Sequence, residues 1–134
     1  MATGAVITKI GKNTALNRLF KASPTYTAIT KFGIGTGTTT PAEGDTGNTT
    51  PITLWSGGST YKSFESGYPT YDETNKRVTW RGLISSTEAN SNTITEVADF
   101  NTDGTPRVGA HIVMSGITKT SSIQVYIDFT WRFV

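Results

Sequence analysis

The chain has 134 residues, no cysteine, 16% charged residues and a formal net charge of +2 at pH 7. That is the length of one domain with room for a core that needs no covalent staples. Without thiols neither disulfides nor thiolate metal sites are available, which fits a reducing compartment, and the sparse, unclustered Lys and Arg are not a nucleic-acid-binding composition.

No apolar run approaches the roughly 18 residues of a membrane helix. Met1-Ala2-Thr3-Gly4 lacks the basic region and apolar run of a signal peptide, so none is expected. The chain is rich in Thr and Gly and poor in Lys and Glu. That composition suits strands joined by tight turns and is common in extracellular or particle-bound β-proteins.

In chain order, residues 1–10 hold Val6, Ile7 and Ile10, a short edge strand or ordered arm. Ala15, Leu16, Leu19 and Phe20 then form one apolar helical stripe, with Asn13 or Thr14 as cap, predicting a helix over 13–21 that Ser23-Pro24 ends. Tyr26–Ile34 has the pattern of a strand. Residues 35–51, with Ala42 as the one apolar side chain, read as a long surface loop. Thr60–Ser66 predicts a strand, and Tyr71–Val78 a hairpin turned at Glu73–Lys76 whose second strand runs through Trp80 towards Ile84. In Thr93–Phe100, Ile94 and Val97 are out of phase by one, which a bulge reconciles. Arg107–Met114 places Val108, Ala110, Ile112 and Met114 on one face. Last, Ser122–Phe133 alternates Ile123, Val125, Ile127, Phe129, Trp131 and Phe133 with polar residues, six apolar positions at period two.

Seven or eight strands spaced by turns predict a mainly β, antiparallel Greek-key or jelly-roll-like β-sandwich with one short N-terminal helix, in a single domain over 1–134. The predicted core is Leu16, Phe20, Phe32, Ile34, Leu54, Val78, Trp80, Ile84, Val108, Ile112, Ile123, Val125, Ile127, Phe129 and Trp131.

Residues able to carry chemistry are few. His111 is the single histidine. Strand alternation puts it opposite Val108, Ala110 and Ile112, on the expected solvent side, with no second His or Cys for a metal site and no positioned partner for general-base work. Asp99-Phe100-Asn101-Thr102-Asp103-Gly104 matches the first half of a calcium loop, but Ala110 stands where the bidentate Glu belongs, and an Asx-rich hairpin turn accounts for the same residues. Gly33-Ile34-Gly35-Thr36-Gly37 lacks the Lys and the helix of a phosphate loop and reads as a strand running into a turn. Asp72 with Glu73, and Glu43 with Asp45, read as solvated turn carboxylates rather than a pair set across a cleft. Trp55, Tyr61, Tyr68 and Tyr71 could stack on sugars or bases, or serve as core or interface. No catalytic, cofactor or metal residues are assigned, no cofactor is implied, and the chain is not expected to be an enzyme.

Phe32-Gly33-Ile34-Gly35-Thr36-Gly37-Thr38-Thr39-Thr40-Pro41-Ala42-Glu43-Gly44-Asp45-Thr46 is one distinctive stretch. Ile94-Thr95-Glu96-Val97-Ala98-Asp99-Phe100-Asn101-Thr102-Asp103-Gly104, followed by Ile117-Thr118-Lys119-Thr120 and the alternating end strand, is the other. In this order they resemble small structural proteins of tailed bacteriophages found as capsid or tail components. The resemblance implies a non-enzymatic virion role, assembled in the host cytoplasm. The partners would be other virion proteins, such as the major capsid protein or tail proteins, or further copies of the chain, with no nucleic acid and no membrane. A capsid decoration or cement protein is the first expectation, and a tail fibre, collar or baseplate subunit the second. A carbohydrate-binding module using the four aromatics is the alternative from another class. Residues 35–51 and 1–5 carry too few apolar groups to offset the roughly 1–2 kcal/mol per residue of ordering entropy, so they are expected to be mobile in the free subunit and ordered on the particle.

Overall fold

The computed structural model describes residues 4–132. Among them are eight strands and one helix: β1 (Gly4–Ile7), α1 (Lys9–Phe20), β2 (Ile29–Gly35), β3 (Lys62–Ser63), β4 (Thr70–Asp72), β5 (Arg77–Ile84), β6 (Thr93–Asn101), β7 (Val108–Thr118) and β8 (Val125–Arg132). They form two antiparallel sheets, a five-stranded one in the order β1-β7-β6-β2-β3 and a three-stranded one in the order β4-β5-β8. The protein is thus mainly β with one short helix near the start. The expected arm holds β1 from Gly4 onwards, paired to β7, while Met1–Thr3 and Phe133–Val134 lie outside the described residues.

The two sheets meet through aromatic side chains. Trp80 of β5 stacks on Phe32 of β2 with ring centroids 5.5 Å apart, and Phe64 and Phe129 stack on Trp80 at 4.7 and 5.5 Å. Around them lie Ile34, Trp55, Ile84, Ile94, Val97 and Ile127, all buried. Gly82, opposite Ile127 on β8, leaves room for Phe32: a Cβ there would come within 2.6 Å of its ring. Burying such aromatic and branched side chains is the main favourable term, at about 1.5–3 kcal/mol each.

Several expectations are corrected. The helix begins at Lys9, not at residue 13, because the Thr8 side chain caps it by accepting from the Gly11 amide at 2.9 Å. Its buried residues are Gly11 and Thr14, packed close to the backbone of β7 at Gly109. Leu16, Leu19 and Phe20 point outward, Phe20 being 80% exposed. Leu16 and Phe20 are therefore not core, and neither are Leu54 and Ile123, which are also exposed. The expected strand over Tyr26–Ile34 starts only at Ile29, and that over Thr60–Ser66 shrinks to two residues. The last strand runs from Val125, so Ile123 precedes it, and β8 lies at the margin of its sheet.

The hairpin turned at Glu73–Lys76 is present, with Asp72 opposite Arg77. A register shift does fall between Ile94 and Glu96, yet the extra residues belong to β7: two steps along β6 match four along β7, from Ile117 to Val113. A second shift lies between Ala98 and Phe100, where two steps on β6 match three on β7. The first shift adds two residues and keeps the alternation, but the second adds one and reverses it: Val108 packs with Ala98 and Phe100, while Ile112 and Met114 pack on the Phe32–Trp80 cluster. The expected single face of β7 is thereby divided.

Candidate functional site

β6 is buried from Ile94 to Asn101 because both of its faces are covered. One face meets the second sheet. Over the other lies the 35–51 loop, and His111 of β7 sits beneath it, side by side with Ala98 in register and 0% exposed. The expected solvent position opposite Val108, Ala110 and Ile112 is corrected: His111 does lie opposite Ile112, but Val108 packs with its neighbour Ala98, and the loop closes that face over the ring. Its Nδ1 is 2.7 Å from Asp45 Oδ2 in the loop and its Nε2 is 2.9 Å from Glu96 Oε1 on β6. Ionised carboxylates only accept hydrogen bonds, so the ring N–H is the donor in this cluster.

Glu96 is the hub of this cluster. Its carboxylate also accepts from the backbone amides of Gly37 at 2.6 Å, Thr49 at 2.6 Å and Thr50 at 2.9 Å. Burial pushes the Glu96 carboxyl up, but the Thr50 and Thr49 amides, His111 and the Gly37 amide outweigh it, leaving Glu96 below its ordinary pKa. Burial likewise pushes Asp45 up, and the Ala42 amide and His111 outweigh it, so Asp45 is also depressed. Gly37 is required by this arrangement, since a Cβ would collide with the Glu96 carboxylate and the Thr49 hydroxyl.

Further bonds tie the loop down: Thr36 N to Thr50 O at 2.9 Å, Lys9 N to Glu43 O at 2.8 Å, and the Lys12–Glu43 ion pair. The expected mobility of residues 35–51 in the free subunit is therefore corrected, because buried polar anchors supply what apolar side chains do not. Glu43 and Asp45 are corrected with it: one pairs with Lys12 and the other with His111.

Asp99 forms a second buried polar centre, between the sheets. Its Oδ2 accepts from the indole nitrogens of Trp80 at 3.0 Å and Trp131 at 2.7 Å, and its Oδ1 from the Ala110 amide at 2.7 Å, at the β7 irregularity. Burial dominates over these three donors and pushes its pKa up to about 6. Asn101 and Asp103, by contrast, organise the β6–β7 turn: Asn101 accepts from the Asp103 and Arg107 amides, and Asp103 accepts from the Thr27 amide and hydroxyl. The calcium-like stretch is a turn whose first carboxylate faces away into the core. Lys119, also fully buried, donates to Asn90 Oδ1 at 2.8 Å and Thr120 O at 2.9 Å, closing the 85–92 loop on β7.

The four aromatics do not share a platform. Trp55 is buried against Phe32 and donates to Thr60 O. Tyr61 packs edge-on against Phe100 at 4.7 Å, Tyr68 lies against Arg81, and Tyr71 is exposed. On the outer face of the small sheet, Arg81 is held bidentately by Asp128 at 2.7 and 3.0 Å, between Tyr68 and Tyr126. Gly33–Gly35 end β2 and Thr36–Gly37 begin the loop, as expected of a strand running into a turn. Asp72 binds Asn75 and Arg77 within the hairpin.

His111 and Asp99 were singled out by sequence for other chemistry; Glu96 and Lys119 were missed. A Glu close to Ile94, Val97 and Ala98 was the one available signal for Glu96, because a buried carboxylate needs donors. Fold and cluster together define a small two-sheet protein whose histidine and buried carboxylates hold its own loops. No family model, curated protein or solved structure matches the chain.

Proposed function

We propose that the protein is a non-enzymatic structural subunit of a bacteriophage virion, a decoration or cement protein bound in many copies to the capsid shell. The observation that carries this reading is the loop clamp. Glu96, His111 and Asp45 are spent on fixing 35–51 as a rigid surface feature, which suits a protein that works by shape and contact area. The residues that carry the resemblance to tailed-phage structural proteins include that loop and the Glu96 strand. We read the two sheets as a jelly-roll-like sandwich. The β6–β7 pair in one sheet and the β5–β8 pair in the other are nested in sequence, as in a rolled antiparallel ribbon. Each contact on the shell would be weak and the lattice would multiply them.

Immunogold labelling of particles from the phage that encodes the chain tests this. Label distributed over the heads supports a decoration protein, and label confined to tails favours a fibre, collar or baseplate subunit. Absence from purified particles overturns both. The carbohydrate-binding alternative is not favoured by the dispersed aromatics; binding on a glycan array that Tyr71→Ala abolishes would restore it.

A further inference from the structure

β8 is an open margin. It pairs with β5 alone, without interruption from Arg77↔Arg132 to Ile84↔Val125, and among the described residues no other hydrogen bond reaches its backbone. Natural sheets protect such edges by shortness, proline, bulges, inward charges or a covering segment. The other sheet margins are short: β1 has four residues, β3 two and β4 three. β8 has eight residues, no proline, no register shift, and an inward side of Val125, Ile127, Phe129 and Trp131. Phe129 and Trp131 are only half-buried.

The geometry points to a second copy of the chain as the occupant, paired antiparallel through β8 about a twofold axis at Thr130. In that register Thr130 faces its own copy, Phe129 faces Trp131 of the second copy, and Asp128 faces Arg132. Opposite charges and aromatic pairs directly across a ladder are the favourable combinations, and a twofold axis makes each occur twice. Shifting the axis to Asp128 would set two carboxylates face to face, and shifting it to Arg132 would set two guanidinium groups together. The small sheets of the two copies would then join into one continuous sheet, with the half-buried aromatics covered. This inference is independent of the virion reading, since it concerns the chain alone in solution.

The absence of cysteine from the chain makes the register directly readable. Thr130→Cys should form a disulfide-linked dimer under mild oxidation, and Tyr126→Cys should not. Light scattering of the unmodified protein should show a concentration-dependent dimer. Arg132→Asp should raise its dissociation constant about tenfold, because two charge pairs become repulsive, without lowering the melting temperature of the dilute protein, in which residue 132 faces Arg77. A monomer at every soluble concentration, equal crosslinking at 126 and 130, or a dimer indifferent to Arg132→Asp would each overturn the proposal.

Discussion

At the scale of single residues, two buried carboxylate centres respond to pH with opposite signs. Asp99 has a folded pKa raised to about 6 from 3.8. The fold therefore holds its proton more tightly than the unfolded chain does, and its contribution is full below the unfolded value and lost as pH rises through about 6. The loss is on the order of 3 kcal/mol. The stability of the wild type relative to Asp99→Asn should accordingly fall between about pH 4 and about pH 6 and level off above; urea titrations of both proteins across that range measure it. Asp45 and Glu96 are depressed instead, so their contribution is present above the ordinary carboxylate range and lost as pH falls through their folded values. His111→Ala leaves those two carboxylates without the imidazole between them. It should cost about 3–5 kcal/mol at neutral pH, read as a lower urea midpoint.

Among the elements, the loop and the helix show what a linear pattern leaves out. Apolar content alone makes 35–51 resemble a free loop, yet its amides end on Glu96, some 50 positions away in sequence. Limited proteolysis should leave this loop intact in the wild-type protein and cut it in Glu96→Gln, whose amide cannot reproduce the charge-assisted bonds to His111 and three backbone N–H groups. The helix misled in the other direction. Its Leu16, Leu19 and Phe20 stripe looked like a core face, but the close approach of Gly11 to the Gly109 backbone decides which side is buried, and a small residue leaves no mark on an apolar pattern. Replacing Leu19 with Lys should change stability by less than about 0.5 kcal/mol. Gly11→Ala should destabilise despite the better helix propensity of Ala, since its Cβ meets backbone; thermal melts of the two variants check both.

For the whole molecule, the mainly β class and most strands were legible, because β5, β7 and β8 carry period-two patterns and the turns carry Asx and Gly. The division into sheets was not, because pairing between distant strands leaves no local signal. Nor was the position of β8, whose strong alternation reports one buried face and says nothing of whether a neighbour lies on each side. The burial of His111 depended on a segment far from it in sequence, beyond the reach of any strand period. Trp55, Trp80 and Trp131 all belong to the contact between or beside the sheets. Tryptophan emission and far-ultraviolet circular dichroism should therefore report one coincident unfolding transition; separated midpoints would mean that the two sheets melt independently.

The way Glu96 grips the 35–51 loop bears on how the protein can change. It holds main-chain amides at both ends of the loop, at Gly37 and at Thr49 and Thr50, and so places little demand on the side chains of Thr38, Thr39 and Thr40, which are exposed. A foreign peptide inserted there would lengthen a loop whose feet stay fixed, and each doubling of loop length costs only about 0.6 kcal/mol of closure entropy. The outer surface can thus be rewritten while the fold beneath it stays unaltered, which makes this turn the natural place to display an epitope or an affinity tag.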